Sequence, residues 1–230
     1  MKMNRLPGAI GRHLAALRAM ILFTVILGIA YPLLVTGIAQ LGFKNTADGS
    51  LITNSKGQVV GSKLLCQAFT AKDGTPLPQY FQSRPSDAIN SSNSAAANDT
   101  KNVDGEYYAC DPTQSAASNL GPNNPTLAAN IKNYQQVMAK FDTVGDYTVA
   151  PDQVAPDAVT ASASGLDPDI SILNADQQAH RIATTRNLPL TTVQGLITKY
   201  TDGRDLGFLG EPGVNVLELN LALDELQGKA

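Results

Sequence analysis

One stretch governs what this chain can become. Ala19 to Ala39, reading AMILFTVILGIAYPLLVTGIA, has 21 residues without a charged side chain. As a helix rising about 1.5 Å per residue it spans roughly 31 Å, which matches the ~30 Å hydrocarbon core of a bilayer. The 18 residues before it carry Lys2, Arg5, Arg12 and Arg18 and no acid. All 20 Asp and Glu lie beyond residue 47, so the rest of the chain sets 13 cations against 20 acids, a balance of −7. Cations stay on the cytoplasmic side, so the expected topology is N-terminus inside and main domain outside. A cleaved signal peptide is the competing reading, and Gly37-Ile38-Ala39 supplies a small-x-small triplet. Signal cores usually run to about 7–15 residues, which favours the anchor. Thr24 and Gly28 form a small-xxx-small pair, and Pro32 removes the N–H that would bond the Gly28 carbonyl. These three residues are the candidates for helix packing; a plain anchor is the alternative.

The expected organisation is therefore a basic cytoplasmic leader (1–18), a membrane span (19–39) and one extracytoplasmic domain (40–230). With 190 residues that domain can build its own core. Leu51–Thr53 and Gln58–Val60 read as a hairpin about Ser55-Lys56-Gly57, with Leu64–Phe69 a third strand. Asn124 before Pro125 opens a helix to about Phe141, with Leu127, Ile131, Tyr134 and Met138 on one face. A second helix is expected over Ala175–Arg186 after Asn174, and a third over Leu190–Tyr200. Val214–Leu226 fits either a strand or a helix capped by Asn215, with helix favoured. The fold class is α+β. Residues 86–118 are rich in Ser, Asn, Ala and Asp and read as a long surface loop. Asn90 and Asn98 lie in glycosylation patterns that have meaning only in a eukaryotic secretory route.

An acidic main body excludes electrostatic nucleic-acid binding. Two histidines, His13 and His180, and two cysteines are too scattered for a zinc site. Cys66 and Cys110 both fall on the expected outer side, where a bridge would close a loop of about 45 residues; alternatively Cys66 is a buried small hydrophobe. Gly57 to Lys63 departs from a phosphate loop in glycine spacing and in the order of Ser62 and Lys63, so it reads as a strand turn. Asp167-Pro168-Asp169 offers two carboxylates, but a Pro-containing turn uses Asp for local bonding. His180 has no nucleophile or i+4 ligand and reads as solvated helix surface. No self-sufficient catalytic motif remains, which points to an accessory or binding role. A free-standing anchored solute-binding or sensor domain is the alternative.

Four motifs occur in order: Tyr80-Phe81-Gln82-Ser83-Arg84-Pro85-Ser86, Ser118-Asn119-Leu120-Gly121-Pro122-Asn123-Asn124-Pro125, Val159 to Pro168, and Leu206-Gly207-Phe208-Leu209-Gly210-Glu211-Pro212-Gly213-Val214-Asn215-Val216-Leu217. Together with Tyr31-Pro32 in the apolar run and Gly61-Ser62, they resemble KdpC, the C-subunit family of the bacterial potassium-transporting P-type ATPase, over nearly the whole chain. Gln178 and Arg181 match that family's Q-x-x-R pattern. The chain departs from it at Ala116-Ala117 and Gly213, and at Asp169 in place of histidine.

The resemblance implies a subunit without catalysis of its own in a high-affinity K⁺ uptake complex of the bacterial cytoplasmic membrane. The implied partners are a KdpA-like channel subunit, a KdpB-like P-type ATPase subunit, a small KdpF-like subunit and the lipid bilayer. It also implies a catalytic-chaperone role that raises the ATP affinity of the ATPase subunit. Nucleotide contact would fall on Ser115, Ser118, Asn119 and Gly121. No firmly bound cofactor or metal is expected, and K⁺ is the ion carried by the complex. Arg84, Asp167 and Glu211 are read as loop-organising or partner-contact residues, with pairing inside their own turns as the alternative. The cysteine pair would tie down a loop extended by about twenty residues.

Overall fold

The computed structural model describes residues 8–71, 75–86 and 110–228. The chain divides after Ser50 into two compact units. In the first, one continuous helix runs from Gly8 to Gly42, 35 residues in all, as α1 (Gly8–Val25), a π turn (Ile26–Ala30) and α2 (Tyr31–Gly42). None of its residues is buried in the protein. At about 1.5 Å per residue it is roughly 52 Å long, so it extends beyond the apolar run at both ends and carries Arg12 and Arg18 on its first half. Length and composition suit a single membrane crossing. The π turn has a sequence cause: Pro32 cannot donate to the Gly28 carbonyl and its ring crowds it, and just before it the Tyr31 N–H reaches back five residues to the Ile26 carbonyl. A short α3 (Lys44–Ala47) closes the unit.

The second unit mixes helices and sheets, an α+β fold. β1 (Leu51–Thr53) and β2 (Val59–Ser62) form the expected hairpin. β3 (Asp169–Ile170), β4 (Thr201–Asp202) and β5 (Gly213–Asn215) form a second antiparallel sheet in the order β3-β5-β4. The helices are α4 (Pro125–Asp142), α5 (Pro156–Val159), α6 (Ile172–Arg186), α7 (Leu190–Lys199) and α8 (Val216–Leu226).

The last apolar segment resolves as both readings in series, because Asn215 ends β5 and caps α8 by accepting the Glu218 N–H. Asn124 caps α4 in the same way through the Thr126 N–H. At α6 the sequence reading needs correction. Ser171, not Asn174, is the cap, and it accepts the Asn174 N–H, so the helix begins three residues earlier. Leu64–Phe69 forms no strand: Ser62 Oγ accepts the Leu64 N–H, which turns the chain, and Cys66 N–H donates to Leu166 outside any ladder.

Two apolar clusters support the unit. The larger joins Phe81 of the 80–86 segment to Ile170, Ile182, Val193, Ile197, Val214, Leu219 and Leu223 from the three-stranded sheet, α6, α7 and α8. The smaller joins Tyr134 and Met138 of α4 to Val149, Val154, Ala158 and Val159. The glycosylation patterns at Asn90 and Asn98, and the loop over 87–109, lie outside the described residues.

Candidate functional site

The segment Tyr80–Ser86 is the centre of a polar framework. It has no strand partner, yet its backbone is paired on both sides by side-chain amides. Asn220 of α8 accepts the Phe81 N–H at 2.8 Å and donates to the Phe81 carbonyl at 2.9 Å. Gln178 of α6 accepts the Gln82 N–H at 2.7 Å and donates to the Gln82 carbonyl at 3.1 Å. Buried peptide groups need partners, and here two helices supply what a neighbouring strand would.

Arg181 extends the framework. Its guanidinium, 1% exposed, meets Asp142 at 2.9 Å, the Tyr80 carbonyl at 2.9 Å, Gln178 Oε1 at 2.8 Å and the Pro78 carbonyl, and it lies 4.2 Å from the centre of the Phe141 ring. Burial raises the pKa of the Asp142 carboxyl, and Arg181 offsets only part of that rise. Arg186, one turn on, donates to the Gln79 carbonyl and Asp224 and lies over Tyr80, whose hydroxyl donates to Asp224 at 3.0 Å. Gln178 and Arg181 were visible in sequence as a pattern three residues apart. Their partners, 39 to 103 residues away, were not.

Residues 160–167 bind the Tyr80–Ser86 segment and the 115–116 stretch that leads into the second motif. Ser162 N–H donates to the Pro85 carbonyl at 3.0 Å, Ser86 Oγ to Gly165 at 2.8 Å, and Ser115 Oγ and Ala116 N–H to Ser164 at 2.8 and 3.1 Å. Cys66 and Cys110 are joined by a disulfide, which fixes the start of the 110–121 segment beside this loop. Arg84 and Asp167 are brought together at 2.7 Å, both partly shielded, with Arg84 also reaching the Thr160 carbonyl. Glu211 is not part of that pair; it meets Arg204 within its own loop at 2.6 Å. Ser118, Asn119 and Gly121 make local turn bonds, to Leu120, Ala117 and Asn124 respectively.

The remaining chemistry-bearing residues have structural partners. Lys63 meets Asp202 at 3.0 Å and Glu218 at 3.4 Å, and the Asp202 contact leads in raising its pKa. A Cβ on Gly61 would fall 2.6 Å from Leu217 and 2.8 Å from Gln67, so Gly61 lets the hairpin approach α8. Asp169 accepts from Asn215 Nδ2 at 3.0 Å, and burial raises its pKa. His180 corrects the expectation of a solvated side chain: it is half-buried, stacked on Tyr147 with ring centres 3.6 Å apart. Among the described residues no cluster of three His, Cys, Asp or Glu could hold a metal ion. A Cβ built on Gly28 would meet Thr24 Cγ2 at 3.8 Å, and both residues are exposed on the helix.

The residues match the family model described as K⁺-transporting ATPase, c chain (KdpC), over 13–225. Similar proteins include one from Streptomyces avermitilis, 43% identical over 218 residues and covering 92% of each chain. One from Mycobacterium tuberculosis is 44% identical over 213 residues, covering 93% of this chain and 97% of its own. One from Methylococcus capsulatus is 43% identical over 215 residues, covering 92% and 96%. Each is named as a potassium-transporting ATPase KdpC subunit.

Proposed function

The chain belongs to the KdpC family, the c chains of K⁺-transporting ATPases, and on that premise we propose that it is the non-catalytic subunit that stabilises such a complex and shapes access to its outer mouth. The observation that carries the proposal is a fully unburied apolar helix, Gly8–Gly42, on a domain whose polar side chains are committed to holding its own loops. The proposed placement is the bacterial cytoplasmic membrane, N-terminus inside and residues 40–230 outside. The charge balance across the apolar run supports it. The proposed partners are a KdpA-like channel subunit, a KdpB-like ATPase subunit and a small KdpF-like subunit, met in the membrane through Thr24, Gly28 and Pro32 and outside through the domain's loops.

The catalytic-chaperone role, raising the ATP affinity of the ATPase subunit, is the finer part of the proposal. Direct nucleotide contact at Ser115, Ser118, Asn119 and Gly121 lacks the usual means. The segment has no Lys or Arg between Asp111 and Ile131, Ala116 N–H and Ser115 Oγ are spent on Ser164, and Leu120 N–H on Ser118. A triphosphate does not fit that segment, and outside placement separates it from cytoplasmic ATP. We assign any gain in ATP affinity to assembly. Purification of the tagged full chain from gently solubilised membranes tests the reading: channel-like and ATPase subunits should co-purify, and a lone monomer would favour an anchored solute-binding or sensor domain. Protection of the domain from external protease in intact cells would overturn the topology.

A further inference from the structure

The loop between β4 and β5 is built as a projecting hairpin. Asp205 and Leu209 bridge across it, and Arg204 and Glu211 close its base at 2.6 Å. Leu206, Gly207 and Gly210 adopt φ of 53°, 82° and 77°. Glycine takes that region freely, but a leucine there is strained, and such strain persists where the side chain it projects is used. Every residue from Asp202 to Glu211 is exposed. The tip is nevertheless apolar: Leu206 is 84% exposed, Phe208 69% and Leu209 49%. A contiguous apolar projection of this kind marks a contact surface.

Charge decides what covers it. Glu211 is paired with Arg204 and Asp202 with Lys63, which leaves the tip rimmed by one carboxylate without an ion pair among the described residues, Asp205. An anionic lipid surface repels such a rim, whereas a protein pocket with basic edges attracts it. We infer that Leu206 and Phe208 insert into an apolar, basic-rimmed pocket on another subunit of the transport assembly. The Arg204–Glu211 pair positions the tip. The inference rests on the assembly proposed above and names the surface that makes the outside contact.

The test places a photo-crosslinking benzoylphenylalanine at Phe208 in the full-length, tagged chain expressed with its transport subunits. Irradiation should join it to one of those subunits, at a peptide mass spectrometry identifies as apolar with flanking Lys or Arg. Asp205→Lys in the same chain should lower the adduct yield severalfold at low salt and little at high salt. A lipid adduct, or no adduct while the channel-like and ATPase subunits still co-purify, overturns the inference and leaves the assembly standing. Failure of co-purification by the unmodified chain removes the assembly, and this contact with it.

Discussion

The helix Gly8–Gly42 and helix α6 invert each other's logic. The first presents Ile21, Leu22, Phe23, Leu27, Leu33 and Leu34 outward and buries none of them in the protein. The second buries two arginines, Arg181 and Arg186, with Gln178 and Asn174 beside them. Each follows from its surroundings. In hydrocarbon an apolar surface costs nothing and a charge is prohibitive, whereas inside a folded domain a charge is kept where every donor finds an acceptor. The first helix is thus defined by its solvent and the second by its neighbours, so substitutions in the two should fail in different assays.

Arg181→Met should produce the largest effect. It leaves the Asp142 carboxylate buried without its cation and strips donors from the Pro78 and Tyr80 carbonyls, at about 3–5 kcal/mol. At roughly 2–4 °C per kcal/mol for a domain of this size, the melting temperature should fall by about 10 °C. A change below about 2 °C would show that the domain does not depend on this pair. Removing the disulfide with Cys66→Ser and Cys110→Ser should cost about 2–4 kcal/mol through the freed loop, read by urea unfolding of the full chain. Leu27→Arg tests the opposite helix. It should oppose insertion by about 2.5–3.5 kcal/mol, lowering the membrane-bound fraction while the domain's melting temperature stays fixed. A domain melting shift instead would break the separation drawn between the two helices.

Asn215→Ala should cost about 1–2 kcal/mol, because it removes the cap of α8. The smallest effect concerns pH. Burial raises the Asp169 carboxyl in the folded state, so the native protein holds that proton more tightly than the unfolded chain does. Its stabilising contribution is full below the ordinary carboxylate range and is lost as pH rises through the raised value. Asp169→Asn keeps the oxygen that accepts from Asn215 and removes the charge. It should therefore raise the melting temperature slightly at pH 7 and flatten the fall in stability that the wild type shows as pH rises out of the ordinary carboxylate range.

What could be read from sequence was local. Pro32, the Asn124-Pro125 opening of α4 and Asn215 each act within a few residues of themselves, and each appears in the backbone accordingly. Asn174 misled because Ser171 offered an equal cap one turn earlier, and the choice was made elsewhere: Asn174 is needed to donate to Asp157 and to accept from Gln178. Leu64–Phe69 misled because apolar residues there pack and turn without a neighbouring strand. The amide pairing of Phe81 and Gln82 was beyond local reading, since its donors come from residues 96 and 139 positions away. Arg84 and Asp167 could be named as candidates, but only folding joins them and leaves Glu211 apart.

The π turn at Ile26–Ala30 has a mechanical consequence. An α-helix advances about 100° per residue, so the wider turn acts as a phase shifter: it rotates the Tyr31–Gly42 half out of step with the half before it. Thr24 and Gly28 therefore do not continue as a straight seam into Gly37. A neighbouring helix that follows the first half would find a different set of side chains past the middle of the bilayer. Deleting a single residue between Leu27 and Ala30 would restore the rhythm and misalign whatever partner has been shaped to the offset.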